Sequence, residues 1–181
     1  MAPSAEEGKT LFDRDNIRVA EVEREYPDGS VKKKAMIALT DVSVVVPITN
    51  DGKILVERHY RYSADTWTTE VPAGKVDDGE SPDQCAAREL EEETGYKARE
   101  MKRIASFYVM PHRSNYKIHV YLATGLSKTR QRLEKDEFIE VREETLDNLM
   151  LMLKNGELVD QKTATALLYY SAFAKGDMPK C

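Results

Sequence analysis

The chain has 181 residues, of which 33% are charged and 41% are hydrophobic, and its formal net charge at pH 7 is −5. These values are typical of one globular domain that buries about 70% of the unfolded chain's surface, and the acidic balance argues against a nucleic-acid-binding protein, whose binding surface would be basic. The two cysteines make no disulfide framework and no apolar run approaches the roughly 18 residues of a membrane span, so we expect a cytoplasmic protein that binds no membrane.

Residues 1–40 are predicted to form an N-terminal arm that ends in a β-hairpin. Residues 1–10 are expected to be disordered. Apolar and polar residues alternate over 17–26, the residues Pro-Asp-Gly-Ser at 27–30 favour a turn, and 31–39 return as a second strand.

Residues 41–181 are predicted to form the main domain. The strands are expected at residues 42–48, 54–60, 69–72, 104–110, 117–123 and 138–142, and helices after Ser81 and at 144–154 and 161–174. Strands enclosed by helices indicate an α/β fold, an α/β/α sandwich with a mixed sheet.

The helix after Ser81 has well-defined ends. Ser81 is a good N-cap residue, Pro82 suits the first helical position, and Gln84 completes a capping box. Gly95 is the expected C-terminal stop.

This helix carries an acidic face. Glu89, Glu92 and Glu93 occupy positions i, i+3 and i+4, and therefore share an arc of roughly 100°. Like charges so close repel each other, and a divalent cation with a preference for oxygen ligands, such as Mg²⁺, Mn²⁺ or Ca²⁺, would relieve the repulsion. Arg88 lies four residues before Glu92 and can hold its carboxylate in one orientation.

Residues 74–96 follow the pattern G-x5-E-x7-R-E-U-x-E-E-x-G-U, where U is a bulky apolar residue, and they resemble the Nudix box. The matching positions are Gly74, Glu80, Arg88, Glu89, Leu90, Glu92, Glu93, Gly95 and Tyr96. Tyr96 departs from the pattern, because the last position is usually aliphatic. The resemblance implies hydrolysis of a nucleoside diphosphate linked to another group, with Mg²⁺ or Mn²⁺ as the cofactor.

The similarity extends beyond the box to the ADP-ribose pyrophosphatase branch of the family. It includes VVVPITNDGKILVERHYR, WTTEVPAGKVDDGE, KIHVYLATGL and DQKTATALL, and Pro111, fifteen residues after the box, lies where that branch places a proline. The resemblance implies cleavage of ADP-ribose, or a related nucleoside diphosphate sugar, to a nucleoside monophosphate and a sugar phosphate. It also implies a homodimer whose N-terminal hairpins exchange, the alternative being a hairpin that packs on its own subunit.

Three positions depart from that branch. His112 replaces a glycine, Tyr116 replaces an acidic residue, and His59 replaces the glutamine that usually precedes Tyr-Arg. GDP-mannose or another nucleoside diphosphate sugar is therefore an alternative substrate. A nucleotide-sugar sensor that does not cleave is a second alternative, and a decapping enzyme, which would carry a basic groove, is a third.

The resemblance assigns roles to individual residues. The metal ligands would be the carbonyl of Ala73 with Glu89, Glu92 and Glu93. The catalytic set would be Glu92, which binds metal or orients water, Glu93, the loop residue Glu137, and Arg88 as a scaffold. The substrate contacts would be Arg61, Glu70, Pro111, His112 and Arg113. The three histidines, His59, His112 and His119, show no metal-ligand spacing, and none is predicted to bind a metal.

Overall fold

The computed structural model describes residues 8–14 and 17–177, apart from the side chain of residue 177. The chain divides into two compact units. The arm unit takes its residues from 1–41 and 107–118, and the main unit takes its residues from 42–106 and 119–181. The predicted boundary between residues 40 and 41 thus lies one residue from the end of the first arm segment, and residues 107–118 are an addition that the sequence did not indicate.

The arm unit contains an antiparallel sheet in the order β1-β2-β3. Its strands are β1 (Lys9–Arg14), β2 (Ile17–Glu25) and β3 (Val31–Ala38). The predicted hairpin is formed by β2 and β3, and its turn has Gly29 at φ 77°. The expectation of disorder is wrong for residues 9 and 10, which lie in β1, and residues 1–7 fall outside the described residues. Strand β1 was not predicted, because all six of its residues are exposed and they form no apolar face.

The segment 107–118 belongs to the arm unit through backbone hydrogen bonds. The amide of Ile37 donates to the carbonyl of Arg113 at 2.9 Å, and the amide of Lys117 donates to Asp41 Oδ1 at 2.8 Å. The loop itself is held by the carbonyl of Met110, which accepts from the amides of Arg113 and Ser114. The predicted substrate loop is therefore bonded to the residues that end the hairpin.

The main unit is built on two sheets, with strand orders β7-β4-β10-β9 and β12-β5-β6, and a short pair β11-β8. The strands are β4 (Val42–Pro47), β5 (Ile54–Arg61), β6 (Thr66–Glu70), β7 (Ala73–Lys75), β8 (Tyr96–Lys97), β9 (Glu100–Tyr108), β10 (Lys117–Thr124), β11 (Ser127–Lys128) and β12 (Ile139–Glu144). The strand predicted at 69–72 ends earlier, because Pro72 has no amide hydrogen for a ladder.

Three helices complete the unit: α1 (Pro82–Thr94), α2 (Leu146–Asn155) and α3 (Gln161–Tyr169). The predicted capping box of Ser81 and Gln84 is present, and Gly95 ends α1 at φ 72°. Helix α2 begins two residues later than predicted because Thr145 caps it. Helix α3 changes to a π-helical turn at Tyr170–Ala174. None of the helices in the described part of the chain is long and apolar enough to span a membrane.

The core of the main unit fixes the position of α1. Ala86 and Leu90 of the helix are fully buried among residues of β4, β5 and β10, together with Leu126. The cluster consists of Val45, Leu55, Ala86, Leu90, Tyr121, Ala123 and Leu126. These contacts anchor the apolar side of α1, so its acidic residues project from a rigid support. The mixed α/β architecture confirms the predicted fold class.

Candidate active site

Arg88 organises the acidic face of α1. Its guanidinium donates to both oxygens of Glu80 at 2.9 Å, to Glu89 Oε1 at 2.7 Å and to Glu92 Oε2 at 3.2 Å. It also donates to the carbonyl of Lys75 at 3.1 Å. Hydrogen bonds to Glu80 raise the pKa of Arg88 further, so the group is always charged. One planar cation therefore holds three carboxylates in fixed orientations, which is the geometry of a scaffold.

Glu89 projects into a space that only a glycine leaves open. A Cβ atom at Gly74 would lie 1.8 Å from Glu89 Oε1. Glu89 is 9% exposed, and burial raises its pKa to about 7, although Arg88 opposes that shift. A buried carboxylate whose charge is disfavoured by its surroundings is well suited to a cation.

Glu93 is the most deeply buried acid of α1. Its Oε2 accepts a hydrogen bond from the amide of Ala73 at 2.8 Å, so the contact from Ala73 is made by its nitrogen. Burial, and then the charges of Glu57 and Glu89, raise the pKa of Glu93 well above its usual range. The side-chain amide of Gln131 donates to the Glu93 carbonyl at 2.6 Å and fastens the end of the helix.

Strand β5 supplies two site residues that the sequence did not reveal. Glu57 and His59 are 1% and 5% exposed, and their ligand atoms lie within 4.8 Å of each other and of one from Glu93, in a group that could hold a metal ion. No histidine was expected to have a metal role, and the structure places His59 beside the carboxylates of Glu57 and Glu93. The relevant spacing is two residues along a strand, which places both side chains on one face.

The charge states of this pair follow from their burial. Burial and the charge of Glu70 raise the pKa of Glu57 well above its usual range. Burial and the neighbouring Arg61 lower the pKa of His59 to about 4, so the imidazole is neutral at pH 7. Among the described residues, Glu57 Oε1 and His59 Nδ1 are buried without a hydrogen-bond partner.

Strand β6 places Glu70 directly opposite Glu57. Arg61 binds both oxygens of Glu70, at 2.7 and 2.6 Å, and Lys162 of α3 also contacts that carboxylate. Burial would raise the pKa of Glu70, but Arg61 and Lys162 outweigh it and hold the pKa at about 2. Glu70 thus positions Arg61, whose side chain remains 37% exposed and accessible to a substrate. No pattern in the sequence predicts the contact of Lys162 with Glu70.

Glu137 lies in the loop before β12, half-buried. Its Oε2 accepts from the amide of Glu134 at 2.8 Å. The negative charge of Glu137 raises the pKa values of Glu57, Glu89 and Glu93, so its carboxylate is within electrostatic range of all three.

The remaining predicted substrate residues belong to the arm unit. Pro111, His112 and Arg113 line a cleft of about 610 Å³ in that unit. Its lining also includes the basic and aromatic side chains of Arg24, Tyr26, Lys34 and Tyr108. The other predicted site residues, on β5, β6, β7, α1 and the Glu137 loop, all lie in the main unit.

Comparisons with known proteins agree with this arrangement. A NUDIX domain model matches residues 39–167. The ADP-ribose pyrophosphatase of Bacillus subtilis (strain 168) is 37% identical over 147 residues, and the methanol dehydrogenase activator of Bacillus methanolicus is 38% identical over 147 residues, each match covering 80% of both chains. A crystal structure of an ADP compounds hydrolase shares the fold, with a TM-score of 0.81 and 21% identity over 98% of this chain and 96% of that one.

Proposed function

The chain belongs to the NUDIX domain family, and we propose that it is a Mg²⁺-dependent hydrolase of ADP-ribose and related nucleoside diphosphate sugars. The observation that carries the proposal is the group of buried carboxylates, Glu57, Glu89 and Glu93, gathered from β5 and α1. Buried charges of one sign are stable only when a cation compensates them. The orphaned oxygen of Glu57 and the raised pKa values of all three acids fit a divalent cation.

The proposed reaction is attack of water on one phosphorus of the diphosphate. The bridging P–O bond breaks, the leaving phosphate takes the electron pair, and the proton of the water passes to a carboxylate. The products are a nucleoside monophosphate and a sugar phosphate. Mg²⁺, or Mn²⁺ in its place, would neutralise the phosphates and acidify the water when bound.

Each residue of the proposed active site has a separate role. Glu89 and Glu93 would bind the metal, and Glu92 would bind it or orient the water. Glu137, on a loop within electrostatic range of the acids, is the proposed proton acceptor. Arg61 would clamp a phosphate, since its fork geometry suits bidentate binding.

ADP-ribose is the substrate that we propose first. It is supported by the B. subtilis relative, whose name states that activity, and by the position of Pro111. GDP-mannose remains the second choice, because His112 and Tyr116 change the loop that follows β9. The aromatic and basic cleft of the arm unit, with Tyr26 and Arg24, has the chemistry to hold a base or phosphate.

The substrate proposal is tested by product formation from a panel of ADP-ribose, GDP-mannose, UDP-glucose, NADH and 8-oxo-dGTP with Mg²⁺, coupled to a phosphatase that attacks only the products. We expect ADP-ribose to be cleaved fastest. A preference for GDP-mannose would assign specificity to the loop around His112 and Tyr116. Binding of these compounds without cleavage would favour the sensor.

The metal cluster is tested by Glu93→Gln, which should lower kcat by orders of magnitude while the melting temperature stays near that of the unaltered protein. Glu91→Gln is the matched control, because Glu91 lies on the same helix but pairs with Lys97 and Arg132. Normal turnover by the Glu93 variant would refute the role of the cluster.

We also propose a cytoplasmic homodimer in which hairpins are exchanged between subunits. Light scattering after size-exclusion chromatography should give twice the chain mass of 20.6 kDa. A monomer that retains full activity would contradict exchange and favour a hairpin that packs on its own subunit.

A further inference from the structure

Three side chains from two elements converge inside the main unit. Glu57 and His59 come from β5 and Glu93 comes from α1, and one ligand atom from each lies within 4.8 Å of the others. The exposed fractions are 1%, 5% and 2%. This set overlaps the acidic helix face at one residue only, Glu93.

The protein itself does not satisfy this group. Among the residues that the structure describes, Glu57 Oε1 and His59 Nδ1 have no hydrogen-bond partner. A buried polar atom that is left unpaired destabilises the fold. The cations nearest in the fold, Arg61 and Lys162, are both bound to Glu70. The unpaired carboxylate oxygen and imidazole nitrogen therefore suit a positively charged or Lewis-acidic partner.

We infer that Glu57, His59 and Glu93 form a second metal site that takes a divalent transition ion, such as Mn²⁺, Fe²⁺, Co²⁺ or Zn²⁺, in preference to Mg²⁺. A set of two carboxylates and one imidazole selects such ions, because nitrogen ligands suit them and Mg²⁺ favours oxygen. With metal–ligand bonds of about 2.1 Å, opposite ligands lie about 4.2 Å apart. The three ligand atoms lie within 4.8 Å of one another, so small side-chain rotations would bring them to these distances.

The site rests on the proposed function through two shared residues, Glu57 and Glu93. His59 suits such a site, because an imidazole binds transition metals strongly. Its metal would lie deeper than the one held by Glu89, since Glu57 and Glu93 are both almost fully buried.

The test uses the full chain, stripped of metal with a chelator and titrated with Co²⁺. Bound Co²⁺ gives visible d–d absorption, and a coordinated imidazole gives a paramagnetically shifted, exchangeable N–H signal in the ¹H NMR spectrum. We expect that signal in the unaltered protein. His59→Gln should abolish it and weaken Co²⁺ binding at one site by roughly tenfold or more. His112→Gln, at an exposed histidine of the arm unit, is the matched control and should leave the signal in place.

Glu57→Gln is the second variant, since it keeps the imidazole but removes one charged ligand, and it should weaken the same Co²⁺ site. Circular dichroism checks that each variant is folded. Absence of the shifted N–H signal in folded unaltered protein, or its persistence in His59→Gln, would overturn the site. Mg²⁺-dependent hydrolysis without the shifted N–H signal would refute only the second metal site. The shifted signal without hydrolysis of any substrate would refute only the proposed function.

Discussion

Replacement of Gly74 by alanine tests whether the position of Glu89 controls the reaction. The added Cβ would lie 1.8 Å from Oε1 and 2.0 Å from Cδ of Glu89, whereas ordinary contacts begin at 3.4 Å. The carboxylate must therefore retreat by about 1.6 Å, because the backbone of Gly74 is fixed in β7. A misplacement of about 1 Å can lower a rate roughly 100-fold.

We therefore expect Gly74→Ala to lower kcat roughly 100-fold and to raise the metal concentration needed for half-maximal activity. The hydrogen bond of Arg88 to Glu89, at 2.7 Å, would also be strained. The Arg88 side chain is 28% exposed, so the loss in unfolding free energy should be only about 1 kcal/mol. Steady-state kinetics over a metal titration and urea unfolding measure the two effects. Gly176→Ala is the matched control, since a Cβ there meets nothing within 4 Å.

A double-substitution cycle separates the collision from other effects of Gly74→Ala. In a Glu89→Ala background the clashing atoms are gone, and the glycine substitution should then cost no further activity. Full activity of Gly74→Ala, or an equal loss in both backgrounds, would refute the proposed steric relation between the two residues.

Three further predictions address the supports of the site. Glu70→Gln should cost about 3 kcal/mol of unfolding free energy above pH 5. Because the folded pKa of about 2 lies below the usual 4.5, the difference from the unaltered protein should vanish as the pH falls from 4.5 towards 2. A difference in urea unfolding that stays constant across that pH range would contradict this prediction. Gly95→Ala should destabilise more than Gly156→Ala, because both glycines have positive φ but only at residue 95 would a Cβ come within 2.8 Å of a backbone nitrogen; equal denaturation midpoints would disprove this. Arg88→Lys should lower kcat roughly tenfold or more, since a lysine cannot hold three carboxylates at once, and unchanged kinetics would refute the scaffold.

The sequence predicted those parts of the fold that local chemistry determines. The ends of α1 were predictable because Ser81, Gln84 and Gly95 act through neighbouring backbone groups, and the structure contains each of those caps. The strand β1 was not, because its residues are exposed and its pairing with β2 depends on distant residues. Likewise, no local pattern showed that residues 107–118 join the arm unit, since the hydrogen bond from Ile37 spans more than seventy residues.

The part of the site that lies on helix α1 was predictable from the sequence. Glu89, Glu92 and Glu93 share a helix, so their proximity follows from spacing. Glu57 and His59 could not be placed beside Glu93 without the packing of β5 under α1. The sequence does contain one usable signal, because Glu57 and His59 occupy alternate positions of a strand that begins with three apolar residues, 54–56. Polar residues on a buried strand face require partners, and that requirement points to a site.

The carboxylates of the main unit fall into two groups according to what compensates their charge. Glu70 has Arg61 and Lys162, which together hold the pKa of Glu70 well below its usual value. In the described part of the chain neither Glu57 nor Glu93 has an ion pair, and burial raises the pKa values of both. The protein therefore provides cations for the acid that positions Arg61, while Glu57 and Glu93, which are buried to a similar degree, depend on a cation from solution. Because that dependence comes from burial, Glu57→Gln should stabilise the metal-free protein while it weakens metal binding.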